Sequence, residues 1–121
     1  MTKQRVYDLE DRLIEFASMI IEVDEKISNT RAGNHLGGQI LRSGTSPALN
    51  YGEAQAAESK KDFIHKMKVC LKELRETNIC LKLISNRNMV KSQELVEKAF
   101  NESKELIAIF TKSIETAESN K

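Results

Sequence analysis

The sequence predicts an all-α protein, an antiparallel up-down four-helix bundle. Three observations predict it. Apolar residues recur at alternating three- and four-residue intervals over three long stretches. The chain has one proline and five glycines against 31% charged residues, and all six of those helix-breaking residues fall between positions 31 and 58. A sustained 3–4 spacing is the seam of a helix packed at a shallow angle on its neighbours. A β-sandwich would instead scatter turn residues along the whole chain.

The first stretch carries Val6, Leu9, Leu13, Phe16, Ile20, Val23 and Ile27, and Ser28-Asn29-Thr30 ends it. The third repeats the pattern with Phe63, Met67, Cys70, Leu74, Thr77, Leu81 and Ile84. Ser59, with Asp62 three residues on, reads as its capping box, and Asn86-Arg87-Asn88 closes it. The fourth places Val96, Phe100, Ser103, Ile107, Phe110, Ile114 and Ala117 on the seam, with a second stripe of Leu95, Ala99, Leu106 and Ile109. Short connections make sequential helices antiparallel neighbours.

The second stretch holds Gly33, Gly37, Gly38, Gly44, Gly52 and Pro47. An interior glycine disfavours helix by about 1 kcal/mol and an interior proline by about 3 kcal/mol relative to alanine. Even so, Leu36, Ile40, Leu41, Ala48, Leu49, Tyr51 and Ala54 keep a helical apolar spacing. Two readings follow. Either one helix continues, kinked where Pro47 removes the bond to Ser43, or a fresh helix starts with Ser46 as cap and Pro47 in the first turn. Apolar spacing on both sides favours the kinked helix. Asn50 and Tyr51 then stand where they can satisfy carbonyls freed by Pro47. The glycines leave a smooth surface for close approach, either within the subunit or by another chain.

With 121 residues, 40% of them hydrophobic, the chain suits one domain, residues 1–121, with a core of its own. It has no internal repeat, low-complexity stretch or linker. No Trp, two Tyr and four Phe are few rings for stacking single-stranded bases. A net charge of +1 gives no global pull toward a polyanion. Two cysteines make no disulfide framework. Met1-Thr2-Lys3-Gln4-Arg5 is polar and leads straight into an amphipathic pattern, with no signal peptide and no membrane-length apolar run. The expectation is a soluble cytoplasmic protein.

Local sequence adds a resemblance. Leu41-Arg42-Ser43-Gly44-Thr45-Ser46, Asn50-Tyr51 and Glu53-Ala54 are followed by Ser59-Lys60-Lys61-Asp62-Phe63-Ile64-His65-Lys66, Leu71-Lys72-Glu73 and Arg75-Glu76-Thr77. Together they resemble the signature of bacterial 23S rRNA intervening-sequence proteins, relatives of the accessory variability proteins of diversity-generating retroelements. The resemblance implies an up-down bundle that assembles into a homopentameric ring without a recognised catalytic site. The retroelement relatives are strongly basic and bind nucleic acid and a reverse transcriptase. This chain departs from them in being almost neutral.

Charge is unevenly distributed. Residues 1–28 carry a net −3, residues 29–58 a net 0, residues 59–91 a net +6 and residues 92–121 a net −2. Lys61, Lys68, Arg75 and Lys82 recur every seven residues, a slowly drifting row about 30 Å long on the third helix. Asp8, Glu15 and Glu22 form an acidic row at the same spacing on the first. Three readings stand: two solvated faces, an inter-subunit contact in which one copy's acidic row meets the next copy's basic row, or a surface that tracks phosphates.

No catalytic constellation emerges. Asp62-x-x-His65 has the carboxylate–histidine spacing of di-iron bundles, which need two such motifs and two further inward glutamates. His35, the only other histidine, has Ala32 three residues before it. Asp62 and His65 are expected to point outward. Cys70 reads as a small core residue and Cys80 as partly exposed. They stand ten residues apart on one helix, too far to bond each other. Glu73 and Glu76 have basic residues near them on their own helix. Lys72 with Glu76, and Asp62 with Lys66, read as ordinary i,i+4 surface pairs. The sequence therefore implies no metal, cofactor or small-molecule substrate.

The functional expectation is a non-enzymatic oligomeric scaffold or accessory protein whose first partner is itself, acting on RNA or a ribonucleoprotein through the basic third helix. The alternative is an adaptor that docks a partner protein on the Gly-rich second helix.

Overall fold

The computed structural model describes residues 8–120. Val6 and the polar segment 1–5 lie outside the described residues. Four α-helices follow in order: α1 Leu9–Lys26, α2 Arg31–Gln55, α3 Lys60–Asn86 and α4 Gln93–Ser119. Each begins on a side chain that satisfies an orphan amide of the first turn. Asp8 accepts from Glu10 N–H, Thr30 from Gly33, Ser59 from Asp62 and Ser92 from Leu95. The Ser59 cap predicted for α3 is thus in place. Two residues past the end of α3 stands Asn88, whose φ of 52° is the left-handed conformation that asparagine tolerates.

Sequential helices run antiparallel. Asp24 and Ile20 of α1 face Gly37 and Gly44 of α2. Ser43 and Glu53 of α2 pair with Thr77 and Lys66 of α3. Lys68 and Asn78 of α3 pair with Glu118 and Ser103 of α4. α1 also packs, more sparsely, on α4, whereas α1 and α3 do not approach each other among the described residues, nor do α2 and α4. α1 and α3 therefore occupy diagonal corners, and their outward faces look in opposite directions. At one end of the bundle, Ser28 ties the α1–α2 connection to the α3–α4 connection. Its N–H and its hydroxyl both donate to the Met89 carbonyl at 2.8 Å.

The core is a column of fully buried residues: Leu13, Phe16 and Ile20 from α1, Ile40 from α2, Met67, Leu74 and Leu81 from α3, and Leu106 and Phe110 from α4. The predicted seams of α1 and α3 are buried almost throughout. On α4 the helix is rotated toward its second stripe. Ala99 and Leu106 are fully buried, while Phe100 and Ile107, expected on the seam, are half-buried. Phe100 lies on the α3 side of α4, where Lys82 Nζ stands 6.0 Å from its ring centre.

α2 runs unbroken through Pro47, so Ser46 does not start a new helix. Asn50 does not serve a carbonyl freed by Pro47. Its Nδ2 donates to the Ser46 carbonyl at 3.1 Å and to the Ser46 hydroxyl at 2.8 Å. Tyr51 packs edge-on against Phe110, with ring centres 6.0 Å apart, and its burial pushes the phenol pKa up. Three glycines explain how closely α2 lies on α1 and on the connection that follows it. A Cβ on Gly33 would run into the Ser28 carbonyl, one on Gly37 into the Asp24 carboxylate, and one on Gly44 into Ile20 at 2.6 Å. Gly38 and Gly52 face open space instead.

Candidate interaction faces

All four members of the basic row, Lys61, Lys68, Arg75 and Lys82, are exposed on the outward face of α3. The row leans toward α4. Lys68 Nζ lies 2.9 Å from Glu118 of that helix, and Lys82 Nζ lies 6.0 Å from the centre of the Phe100 ring. Toward the α2 side the same face carries two large apolar side chains in water, Ile79 at 59% and Leu83 at 44% exposure. Leu83 stands seven residues, almost two turns, after Glu76, which reaches Arg42 of α2.

Asp8, Glu15 and Glu22 are exposed on α1. Asp8 is also the helix cap, so its carboxylate is partly engaged by the Glu10 amide at 3.1 Å. Glu22 pairs with Lys26 of its own helix at 3.3 Å. Glu15 borders an open depression between α1 and α4 with Arg12, Met19 and Lys98, so this row, like its basic counterpart, leans toward α4. Toward α2, α1 exposes Ile14 at 51% and Ile21 at 42%.

Two arginine clamps fasten the helices beneath these faces, and neither is visible in the sequence. Arg12 of α1 donates from Nε to Glu102 at 2.6 Å and from Nη2 to Glu102 and Glu105 of α4 at 3.0 and 2.6 Å. These bonds, Glu102 first, raise its pKa against the opposing effect of burial. Arg42 of α2 donates to Glu76 and, at 3.0 Å, to the nearly buried Glu73 of α3. Hydrogen bonds donated to Glu76 and then to Glu73 raise the Arg42 pKa. The local pairs expected within α3 are therefore replaced. Glu76 goes to Arg42 rather than Lys72, and Lys66 reaches Glu53 of α2 at 2.7 Å rather than Asp62. Antiparallel packing brings these partners together from 13 to 93 residues apart in sequence, beyond any i,i+4 reading.

The chemistry-bearing residues are scattered. Asp62 is half-buried at the start of α3 and His65 is exposed. No group of three or more histidine, cysteine or acidic residues placed to hold a metal occurs among the described residues. Cys70 is fully buried and its thiol donates to the Pro47 carbonyl at 3.5 Å. Burial pushes its pKa up to about 12. Cys80, expected to be partly exposed, is buried at 9% exposure, and burial raises its pKa as well. The difference arises because α3 packs on both α2 and α4, which widens its covered face beyond one seam. Among the described residues no helix is long and apolar enough to cross a membrane.

These features define an all-α four-helix bundle with a largely apolar core and two oppositely charged outer faces. The chain matches the family described as 23S rRNA-intervening sequence protein over residues 6–112, and it belongs to that family. It is similar to a protein of unknown function from the S23 ribosomal protein family of Bacteroides thetaiotaomicron VPI-5482, known from a crystal structure at 1.70 Å. The two are 34% identical and superimpose with a TM-score of 0.81, over 88% of this chain and 98% of that one. A comparison with curated proteins finds no match.

Proposed function

We propose that this protein acts by assembly rather than catalysis, as a self-associating scaffold in which the acidic face of α1 meets the basic face of α3 of another copy. One observation carries the reading. Residues 1–28 and 59–91 hold net charges of −3 and +6, and their helices stand at diagonal corners of the bundle. Each copy thus offers opposite charge on opposite sides, which supports a contact between unlike faces. The homopentameric ring implied by the family resemblance is a closed form of such a contact.

Charge pairing of this kind supplies specificity and register more than affinity. It is also sensitive to ionic strength, because the screening length is about 10 Å at 0.1 M salt. Native mass measurement before and after ribonuclease treatment reports subunit number and any retained RNA together. Reversal of Lys61, Lys68, Arg75 and Lys82 to glutamate is expected to disperse the assembly, and adding Glu15→Lys and Glu22→Lys to restore it. If the reversed variant stays assembled but loses salt-sensitive RNA, the basic row tracks phosphates and this reading fails.

A second reading, an adaptor that docks a partner protein on α2, draws on the outer side of that helix. Leu49 is 71% exposed there, and a Cβ on Gly38 or Gly52 would meet nothing within 4 Å. A monomer in solution that loses its partner on Leu49→Asp would favour it.

A further inference from the structure

Between the last turns of α3 and the first turns of α4 the two helices leave a depression of about 550 Å³. That volume falls within the range of about 300–1,000 Å³ usual for small-molecule sites. Leu81, Val96 and the half-buried ring of Phe100 supply its apolar lining. The rest of its wall is polar, and the polar groups are sorted by kind along its length.

The hydrogen bond from Asn78 to Ser103, at 2.9 Å, fixes the register of α3 against α4. Antiparallel packing then sets Phe100 level with Leu81 and Val96 level with Ser85. Gln93 falls level with Asn88, to which its Nε2 donates at 2.7 Å. The depression therefore has three tiers, each about one helical turn, or 5.4 Å, from the next. The lowest is basic: Lys82 Nζ and Lys104 Nζ stand 6.0 and 5.5 Å from the centre of the Phe100 ring. Neither ammonium has a carboxylate partner among the described residues. The middle tier carries Glu97 and Ser85 beside Val96, and the top tier carries Asn86, Gln93 and Glu94.

Each tier suits a different chemical group. Two unpaired ammonium groups at one aromatic ring, whose edge is its electropositive part, favour a phosphate. One turn on, the acceptor-only carboxylate of Glu97 can take hydrogen bonds from both hydroxyls of a ribose. At the top, the side-chain amides of Asn86 and Gln93 offer both donors and acceptors, and Glu94 offers acceptors for an amino group. That is the set which the edge of a nucleobase requires, with Val96 and Leu81 beneath its flat face. We infer that this depression binds one ribonucleoside monophosphate, with its phosphate beside Phe100 and its base toward the α3–α4 connection. A continuous strand is disfavoured there. It would carry a second phosphate on the ribose, against the like charge of Glu97. The site is separate from the self-assembly reading, since Ser85, Glu97 and Lys104 all lie outside the two charged rows.

The test is an NMR titration of the isotope-labelled full chain with each of the four ribonucleoside monophosphates at millimolar concentration. Saturable shifts are expected in the amides of Lys82, Ser85, Gln93 and Phe100, with at least one base bound. Inorganic phosphate alone and the matching nucleoside alone should each bind at least tenfold more weakly. Lys104→Gln should weaken the nucleotide about tenfold, as loss of a charge-assisted hydrogen bond does. Glu97→Gln should weaken the ribonucleotide more than its deoxy counterpart. Ser85→Phe, which fills the depression from an exposed position, should abolish the shifts. Unchanged circular dichroism and native mass would show that these three variants keep fold and assembly. The inference is overturned if no nucleotide gives saturable shifts at these residues, or if Ser85→Phe binds like the parent. Inorganic phosphate that binds as tightly as the nucleotide overturns it too, leaving only an anion site. So does a short RNA oligonucleotide that binds where every mononucleotide fails.

Discussion

The Cγ2 atom of Ile20 stands 2.6 Å from the point that a Cβ on Gly44 would occupy. The closeness of α1 to α2 depends on that missing methyl group. α2 contributes few large side chains to the core, and its inward face is largely Gly33, Gly37, Ser43, Gly44 and Pro47. α1 therefore lies almost on its backbone. Gly44→Ala should force Ile20 out of place and cost about 1–3 kcal/mol, as overpacking of a filled core does. Gly38→Ala and Gly52→Ala meet open space and should each stabilise by about 0.5–1 kcal/mol through the helix preference of alanine. Urea midpoints at a protein concentration where assembly is constant would separate the two signs.

Those glycines also mark how far the sequence is legible. The seams of α1 and α3 follow directly from apolar spacing, because a residue repeated at 3–4 intervals has one inward face whatever its neighbours are. The continuity of α2 is harder to read. Pro47 and five glycines argue locally against a helix, and only the close approach of the Ser28 carbonyl to Gly33 and of Ile20 to Gly44 shows why glycine stands at those two positions. Cys80 is covered because α3 touches two helices, a fact about neighbours that spacing along one helix does not contain. The clamps of Arg12 and Arg42 are illegible for the same reason. The charged rows are fully visible in the sequence, yet their lean toward α4, with isoleucines on the other flank, needs the helices in place.

The clamp at Arg12 should matter most where packing is thinnest. α1 meets α4 over a small contact, and Arg12 bridges it to Glu102 and Glu105 with its side chain only 19% exposed. Arg12→Met keeps the aliphatic stem but removes the charged hydrogen bonds, which are worth about 1.5–3 kcal/mol when well formed. A loss of about 1–2 kcal/mol is expected, with faster amide exchange in α1 than in α3. Arg12→Lys should recover only part of it, since an ammonium cannot reproduce the fork that holds two carboxylates. Hydrogen exchange by mass spectrometry would read both effects.

The thiol of Cys70 makes stability fall in alkali. Burial raises its pKa from the ordinary 9.0 to about 12, so between those values the unfolded chain releases a proton that the folded chain keeps. Stability is then fully present below about pH 9 and declines as pH rises toward 12, with a slope for this one group of up to about 1.4 kcal/mol per pH unit. Cys80 and Tyr51, both raised by burial, act in the same direction. Cys70→Ala should start less stable at pH 7 and lose stability less steeply from pH 9 to 11. Denaturation midpoints across that range compare the slopes. An aromatic disulfide reagent at pH 8 should label Cys70 only as fast as the chain opens.

The hydroxyls of Thr77 and Ser43 make a polar bridge in the α2–α3 interface that double substitution can take apart. Thr77 Oγ1 lies 2.9 Å from Ser43 Oγ and 2.8 Å from the Glu73 carbonyl, and both side chains are fully buried. A hydroxyl has one proton to give. Thr77 therefore donates to one of these oxygens, and when that is the Glu73 carbonyl, Ser43 donates to Thr77. Thr77→Val removes the acceptor while keeping the shape and strands the Ser43 hydroxyl in a dry interface, at a cost of about 1–3 kcal/mol. Removing Ser43 as well, by Ser43→Ala, should recover much of that loss, because no polar group is then left unpaired. The double-mutant cycle is expected to give a coupling of about 1 kcal/mol or more. Strictly additive losses would mean that the two hydroxyls contribute independently.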